Sequence, residues 1–267
     1  RVDTRFEYDG MSGCTLLVLA SGYGHEQLVE LLLKRGADVS LQNSKGGAAL
    51  IAAAGRGSKR VVDLLLRHGV DVDQTDNFGS TALTCAAEKG SVRVVEALQQ
   101  HGADVNHQLH DGSTALMFSV RMGHGLVIDT LLLHGADVNL RVSDGSGRDG
   151  TPLMCAALYG HPAVVLRLLR AGADMALRKD GKTALQFAKE MGHTECVTAF
   201  RKHLEEVAAA RREAAAGGAV VVLSSFLVPE GQGFLVPRLV GAPAPRLISS
   251  RLTSRLTRYN GAPRLAP

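Results

Sequence analysis

The side chains that could do chemistry in this chain are ten histidines and four cysteines, which are common zinc ligands. Seven histidines recur in two contexts, four after a glycine and three before one: His25, His124, His161, His193, and His68, His101, His134. This recurrence indicates equivalent positions in repeated units, which lie about 10 Å apart when helices pack. Zinc ligands lie only about 2 Å from the metal. We therefore expect no metal site and no cofactor.

The cysteines are also spread along the chain. Cys85 and Cys155 take equivalent positions two units apart, so they are separated by roughly 20 Å, which is beyond disulfide reach. Cys14 and Cys196 lie near opposite ends of the repeated region. Unpaired thiols are typical of a reducing compartment, so we predict a cytoplasmic or nuclear protein.

No group of residues has the spacing of a catalytic motif. The chain has no glycine-rich phosphate loop after a strand and no Gly-x-Ser-x-Gly nucleophile elbow. The aspartates that recur close a helix after Gly-Ala or Gly-Val: Asp38, Asp71, Asp104, Asp137 and Asp174. An aspartate that recurs for a structural reason is a poor acid catalyst. We predict that the protein is not an enzyme and has no small-molecule substrate.

Most of the histidines, cysteines and aspartates discussed above lie in a sequence segment that is repeated along the chain. A segment that begins at Thr15 returns at Ala48, Thr81 and Thr114 in steps of 33 residues, and then at Thr151 and Thr183 after 37 and 32 residues. Each copy has apolar residues at i, i+3 and i+4, then a glycine, then a second segment of the same period. In the first five copies Gly-Ala-Asp or its equivalent ends that second segment, and turn-forming residues follow, whereas the sixth copy lacks this stop and its second helix is expected to run on. Each copy therefore predicts two short helices and a loop.

The fifth copy carries the pattern most fully, with Thr151-Pro152-Leu153, then Ala156-Ala157, Gly160-His161 and Gly172-Ala173-Asp174. This pattern, over roughly residues 9 to 204, resembles the ankyrin repeat. The resemblance implies an all-α solenoid of stacked helix-turn-helix units with projecting hairpin loops. None of the copies keeps the histidine after the leucine that ties neighbouring loops in this family, so the rigidity of the loops stays open.

Three regions follow from this pattern. Residues 1–14 are an N-terminal segment in which Val2-Asp3 is interpreted as the remnant of an earlier repeat, and we expect further repeats upstream. Residues 15–216 hold six repeats and an extended C-terminal capping helix, and the long loop 141–150 is interpreted as a tolerated insertion rather than a contact finger. Residues 217–267 form a Pro- and Arg-rich tail that we expect to be disordered.

The net charge of +4 is concentrated in the tail, which has six arginines and one glutamate after Gly218. One alternative function is therefore nucleic-acid or acidic-surface binding through the tail. It is disfavoured because the repeats are close to neutral and the tail has few aromatic residues among its basic ones. No apolar run approaches the roughly 18 residues that cross a bilayer, so we expect no membrane span.

The resemblance implies that partners bind to the loop tips and to the exposed side of the first helices, which together line a concave groove. Exposed aromatic residues, methionine and arginine are typical of interface centres. The predicted contact residues are Tyr23, Arg56, Phe78, Lys89, His110, Arg121, Met122, Leu158, Tyr159 and Met191. The function predicted first is a protein-interaction module or scaffold. The other alternative is a substrate-recognition adaptor of a ubiquitin ligase, although no ligase-recruiting motif is recognised after Ala219.

Overall fold

The computed structural model describes residues 1–142 and 150–217. A short antiparallel hairpin of β1 (Phe6–Tyr8) and β2 (Met11–Cys14) comes first. Six helix pairs follow, which we number one to six along the chain. The helices are α1 (Leu16–Tyr23), α2 (Glu26–Lys34), α3 (Ala49–Arg56), α4 (Lys59–Arg67), α5 (Ala82–Lys89), α6 (Val92–Gln100), α7 (Ala115–Met122), α8 (Gly125–Leu133), α9 (Pro152–Tyr159), α10 (Pro162–Arg170), α11 (Ala184–Glu190) and α12 (Thr194–Gly217).

The pairs stack into two layers. The first helices of successive pairs pack on one another, and so do the second helices, which we call the inner and outer helices. Each of the first five inner helices has a leucine that is at most 2% exposed: Leu17, Leu50, Leu83, Leu116 and Leu153. Small residues three and four positions later, such as Ala86 and Ala87, are fully buried, which lets neighbouring helices approach closely. The predicted helix-turn-helix solenoid is confirmed.

The ends of the inner helices follow the predicted chemistry. The hydroxyl groups of five threonines accept a hydrogen bond from the N–H group three residues later, which satisfies an otherwise unpaired helix donor: Thr15, Thr81, Thr114, Thr151 and Thr183. Helix α3 starts after Ala48 and lacks this bond. Glycines with φ between 73° and 81° end the first five inner helices, in the left-handed region that other residues avoid.

Neighbouring loops are tied together by the backbone, although the family's loop histidine is missing. The N–H groups of Ser44, Asn77 and His110 donate to the carbonyls of Ser12, Lys45 and Phe78 in the preceding loop, at 2.8 to 3.2 Å. The Asp38 N–H donates to Asp3 Oδ1, as those of Asp104, Asp137 and Asp174 donate to Asp73, Asn106 and Asn139. That residues 1–14 derive from an earlier repeat stays a prediction.

The outer layer ends in the 24-residue helix α12, whose Glu206 pairs with Arg170 of α10 at 2.9 Å. Among the helices in the described ranges, none combines the length and hydrophobicity that crossing a bilayer requires. The predictions for the insertion at 143–149 and for the tail from residue 218 concern residues outside the described part of the chain.

Candidate protein-binding face

Six of the predicted contact residues lie at or next to the C-terminal ends of the inner helices, on what we call the inner face: Tyr23, Arg56, Lys89, Met122, Tyr159 and Met191. All six are exposed, and Tyr23 and Met191 are more than half exposed, at 55% and 53%. The other four are Arg121 and Leu158, which are half-buried one residue earlier, and Phe78 and His110, which are exposed in the loops. Exposed large apolar side chains on one rigid surface are a feature of protein interfaces.

A pocket of about 420 Å³ opens on the inner face between α9 and α11. It brings together three of the predicted residues, Leu158, Tyr159 and Met191. The remaining lining residues are Met154 and Cys155 of α9, Phe187 of α11, and Gly150 and Lys179 of the loops. Inner helices and loops both contribute residues to the lining. The pocket therefore lies in the angle between the inner helices and the loops, which is where the sequence predicts the groove.

The pocket has a local cause in the fourth residue of each inner helix. This position holds Leu19, Ala52, Cys85, Phe118, Cys155 and Phe187 along the stack. The small Cys155 therefore stands between two phenylalanines. Its buried side chain is shorter than a phenylalanine, and on the side that faces Phe187 the two residues line the pocket together. A run of similar side chains would leave a smoother surface.

Arg121 is held in place by contacts within the stack. Its guanidinium lies over the Phe118 ring, 4.7 Å from the ring centroid, and its Nη2 donates to Glu88 Oε1 at 3.0 Å. The Arg121 carbonyl lies 3.0 Å from Nε2 of His161. The Arg121 guanidinium is therefore fixed in position beside a half-buried ring and next to the exposed Met122, and its charge is paired with that of Glu88.

The other predicted residues are not brought into this cluster. Tyr23 lies at the N-terminal end, where its hydroxyl is 2.5 Å from that of Tyr8 and its ring stacks on His25. The hydrogen bond to Tyr23 raises the pKa of the Tyr8 phenol. Phe78 and His110 are neighbours at adjacent loop tips. The inner face is thus divided into an aromatic N-terminal end, a charged middle and an apolar C-terminal part.

The recurring histidines have a structural use. Nε2 of His124, His161 and His193 lies 3.0 Å from a carbonyl in the last turn of the preceding inner helix. Each ring thus occupies a helix-end acceptor that the helix itself leaves unpaired. In the described ranges, no three His, Cys, Asp or Glu side chains cluster in a way that could hold a metal ion.

All four cysteines are in the described part of the chain, and none forms a disulfide. Burial raises the pKa of the Cys85 thiol to about 11, with smaller contributions from the charges of Asp76 and Glu88. Burial also raises the pKa of the Cys196 thiol. These two groups are thiols rather than reactive thiolates at neutral pH.

Phe118, Phe187 and Cys155 are among the residues of this surface that were not predicted as contacts. A signal was present, because each lies four residues before a predicted contact residue, and residues i and i+4 share a helix face. The pocket itself has no such signal. Its size depends on how far α9 and α11 stand apart and on the position of Lys179, which helps to line it.

A family model described as "Ankyrin repeats (3 copies)" matches residues 16–109, 50–142 and 142–210, which together cover most of the chain. The chain belongs to the ankyrin repeat family. Ankyrin repeats generally act as protein–protein interaction modules, and the family is typically not enzymatic. A search of curated proteins found no match to the sequence. The inner face described above is therefore the surface of an ankyrin stack, and its side chains distinguish this protein within the family.

Proposed function

We propose that this ankyrin stack is an intracellular scaffold that holds a partner protein against its inner face, with the pocket between α9 and α11 at the centre of the contact. The observation that carries the proposal is that pocket, because it joins a concave apolar site to exposed aromatic and methionine side chains. Residues of these types in well-packed pockets supply most of the binding energy in protein interfaces.

The rigidity of the stack supports the same reading. The neighbouring loops are hydrogen-bonded to each other, and the side chains of the inner face stand on capped helices. A partner that docks there has to order little of this protein, so less of the binding energy is lost to conformational entropy.

The test is affinity capture from cell lysate with the whole chain and with the variant Tyr159→Ala/Met191→Ala. The matched control is Leu126→Ala/Leu133→Ala, which removes two leucines of the outer helix α8 that are 69% and 67% exposed. We expect a partner to be lost with the inner-face variant and kept with the control. Loss with both variants, or with neither, contradicts the proposal.

A chain that ends at Gly218 tests the alternatives that involve the tail. If capture depends on the tail alone, the repeats are only a platform. Recovery of nucleic acid with a steep dependence on salt would favour the basic tail as the binding region. Recovery of ubiquitin-ligase subunits through the tail, together with a target through the inner face, would favour the adaptor function.

The proposed compartment, cytoplasm or nucleus, is supported by four cysteines without disulfides. Imaging of the tagged chain in cells tests it, and exclusive recovery from the secretory pathway would contradict it.

A further inference from the structure

We infer that the inner face binds an extended acidic peptide segment with a bulky apolar anchor, where the anchor enters the pocket and the acidic residues lie along the ends of α3 and α5. This inference rests on the proposed function, since it names the kind of partner that the same face takes. Three observations support it. They are the unpaired basic residues in the middle of the inner face, the lysine that lines the pocket, and the distance between these basic residues and the pocket.

The charge imbalance lies in the basic residues that have no acidic partner. Both glutamates at the inner-helix ends are neutralised, Glu88 by Arg121 at 3.0 Å and Glu190 by Lys182 at 2.7 Å. Arg56 and Lys89 are exposed and form no ion pair with any described residue. The middle of the inner face therefore offers two free cations.

The acidic side chains of the helices nearest to these cations are already paired, Asp63 with Lys59 and Glu88 with Arg121. The acidic residues at the loop tips are used within their own loops. Asp76 Oδ1 accepts from the N–H groups of Phe78 and Ser80, both at 2.8 Å, and Asp111 Oδ1 accepts from Ser113 N–H at the same distance. Neither carboxylate forms an ion pair in the part of the chain that the structure describes. An incoming carboxylate is thus the complementary partner for Arg56 and Lys89.

Lys179 extends this preference to the pocket. Its stem lines the wall, where its Cβ and Cδ lie 3.4 and 3.5 Å from the position that a Cβ on Gly150 would take. Its ammonium group forms no hydrogen bond or ion pair with the described residues. A long basic side chain that buries its stem and keeps its charge at the edge makes the rim of an apolar pocket positive.

The interior of the pocket selects the anchor. Met154, Leu158, Phe187 and Met191 present aliphatic, thioether and aromatic surface, and the volume of about 420 Å³ exceeds that of one leucine or phenylalanine side chain. Methionine side chains adapt to different apolar shapes, so the pocket accepts Leu, Met or Phe rather than a single residue type. A charged or small anchor would leave the apolar lining of the pocket exposed to water.

The distance between the two sites sets the spacing in the peptide. Lys89 ends the inner helix of pair three, whereas the pocket lies between pairs five and six. At about 10 Å per pair this separation is roughly 20 to 25 Å. An extended chain covers it in about six to eight residues. We expect one acidic residue at that distance from the anchor for Lys89. A second should lie about nine to eleven residues from the anchor for Arg56, which is one pair further away, and another beside the anchor for Lys179.

The probe for the test is a random 16-residue peptide library displayed on phage, selected against the whole chain. Synthetic versions of the selected peptides are then titrated by fluorescence anisotropy with three variants: Arg56→Gln/Lys89→Gln, Tyr159→Ala/Met191→Ala and the outer-helix control Leu126→Ala/Leu133→Ala. The changed side chains are exposed, and thermal unfolding of each variant verifies that the fold is kept.

The expected peptides carry an apolar anchor with acidic residues about six to eight and nine to eleven positions away, which face Lys89 and Arg56. The charge variant should weaken binding about tenfold at low salt, and this factor should shrink as salt rises because exposed charges are screened. The pocket variant should weaken binding about 30-fold at any salt, as removal of a central hydrophobic contact does. The control should change it less than twofold.

Two outcomes separate the inference from the proposed function. Peptides that depend on Tyr159 and Met191 but are neutral or basic, or that ignore Arg56 and Lys89, overturn the acidic partner and leave the inner face as the binding surface. If no inner-face substitution weakens the binding of the selected peptides, both the acidic-peptide inference and the proposed function are wrong. If the library yields no peptide while lysate capture still depends on the inner face, the peptide inference is wrong and the scaffold proposal stands.

Discussion

Two regions of the inner face have similar backbones but different side chains. One region is formed by pairs two and three, and the other by pairs five and six. A left-handed glycine ends the inner helices of pairs two, three and five, at Gly57, Gly90 and Gly160, and in pair six left-handed Gly192 follows Met191 after the helix. In the first region the exposed residues at the helix ends are Arg56 and Lys89. In the second they are Tyr159 and Met191 around a cavity of about 420 Å³. The backbone repeats, and the surface chemistry does not.

The contacts between successive helix pairs, which we call seams, differ between the two regions as well. The position after the helix-ending glycine is histidine in pairs four to six, and each ring reaches a carbonyl of the previous pair. Pairs two and three have Ser58 and Ser91 instead, whose hydroxyls are too short to make that bond. The C-terminal part of the stack is therefore both more apolar on its face and more tightly linked, which suits a binding site that has to be preformed.

The largest expected effect is on the free energy of unfolding, and it tests whether the cores of the two regions are packed equally well. Leu83→Ala and Leu153→Ala each remove a side chain that is 1% exposed, in pair three and pair five. Each should lower the free energy of unfolding by about 3 to 5 kcal/mol, because each leaves a cavity in a close-packed core. Urea unfolding measures both losses. A difference of more than about 1 kcal/mol would mean that the regions are packed differently, whereas exposed Leu126→Ala should cost under about 0.5 kcal/mol.

The next prediction tests whether the pocket is confined to the second region. Cys85 takes the position in pair three that Cys155 takes in pair five, and burial raises the Cys85 thiol pKa to about 11. At pH 8 its thiolate fraction is then about 100-fold below that of a thiol with a pKa of 9.

We therefore expect slow alkylation of Cys85 by iodoacetamide, followed by mass spectrometry of its peptide, with a rate that rises about tenfold per pH unit until pH 11. The same cysteine in urea-unfolded chain is the control. Equal rates in folded and unfolded chain at pH 8 would show that pair three has an opening beside Cys85 as well.

A third prediction concerns the glycines of the seam. Gly90 and Gly102 have φ angles of 79° and 83°, but a Cβ at Gly90 would lie 2.8 Å from the His124 ring, whereas none of the described atoms lies within 4 Å of one at Gly102. Gly102→Ala should cost about 1 to 2 kcal/mol through backbone strain alone.

Gly90→Ala should cost about 1 kcal/mol more than Gly102→Ala, because it also displaces the histidine from its carbonyl. The same comparison in pair five uses Gly160→Ala and Gly172→Ala, where His193 lies 2.7 Å from the added Cβ of Gly160. Thermal or urea unfolding measures all four variants. Equal losses within either pair would show that the histidine rings adjust freely.

The smallest expected effect is on the histidine bonds themselves. His124→Ala and His193→Ala should each lower the free energy of unfolding by about 1 kcal/mol, the usual contribution of one hydrogen bond. His134→Ala is the matched control, because that exposed ring makes no hydrogen bond with the described residues and should change stability by under about 0.5 kcal/mol. If all three variants behave alike, the seams of the C-terminal pairs are not held by histidine.

Much of the fold could be predicted from the sequence because ankyrin packing is local. The period of 33 residues, the threonine caps and the glycine stops act within one or two pairs, so short-range patterns identify them. The loop ties escaped prediction. They are made by the backbone of adjacent loops, and the missing family histidine was a poor guide to them.

The candidate site was predicted only in part. Tyr159, Met191 and Leu158 could be read from their positions at the ends of helices, and their role as contacts remains a prediction. Tyr23 shares their sequence position, but in the structure it pairs with Tyr8 in a different element. No rule of position within a repeat could have distinguished Tyr23 from Tyr159.

The sequence by itself determined the family, the stacked helix pairs and the residue types on each surface, because these depend on patterns that repeat along the chain. Only the tertiary structure decided that a pocket opens beside Cys155 and Phe187, that Lys179 helps to line it, and that Arg56 and Lys89 form no ion pair with the described residues. The physical reason is that a pocket and an unpaired charge are relations between neighbouring repeats, and the spacing of side chains across a seam is set by packing in three dimensions.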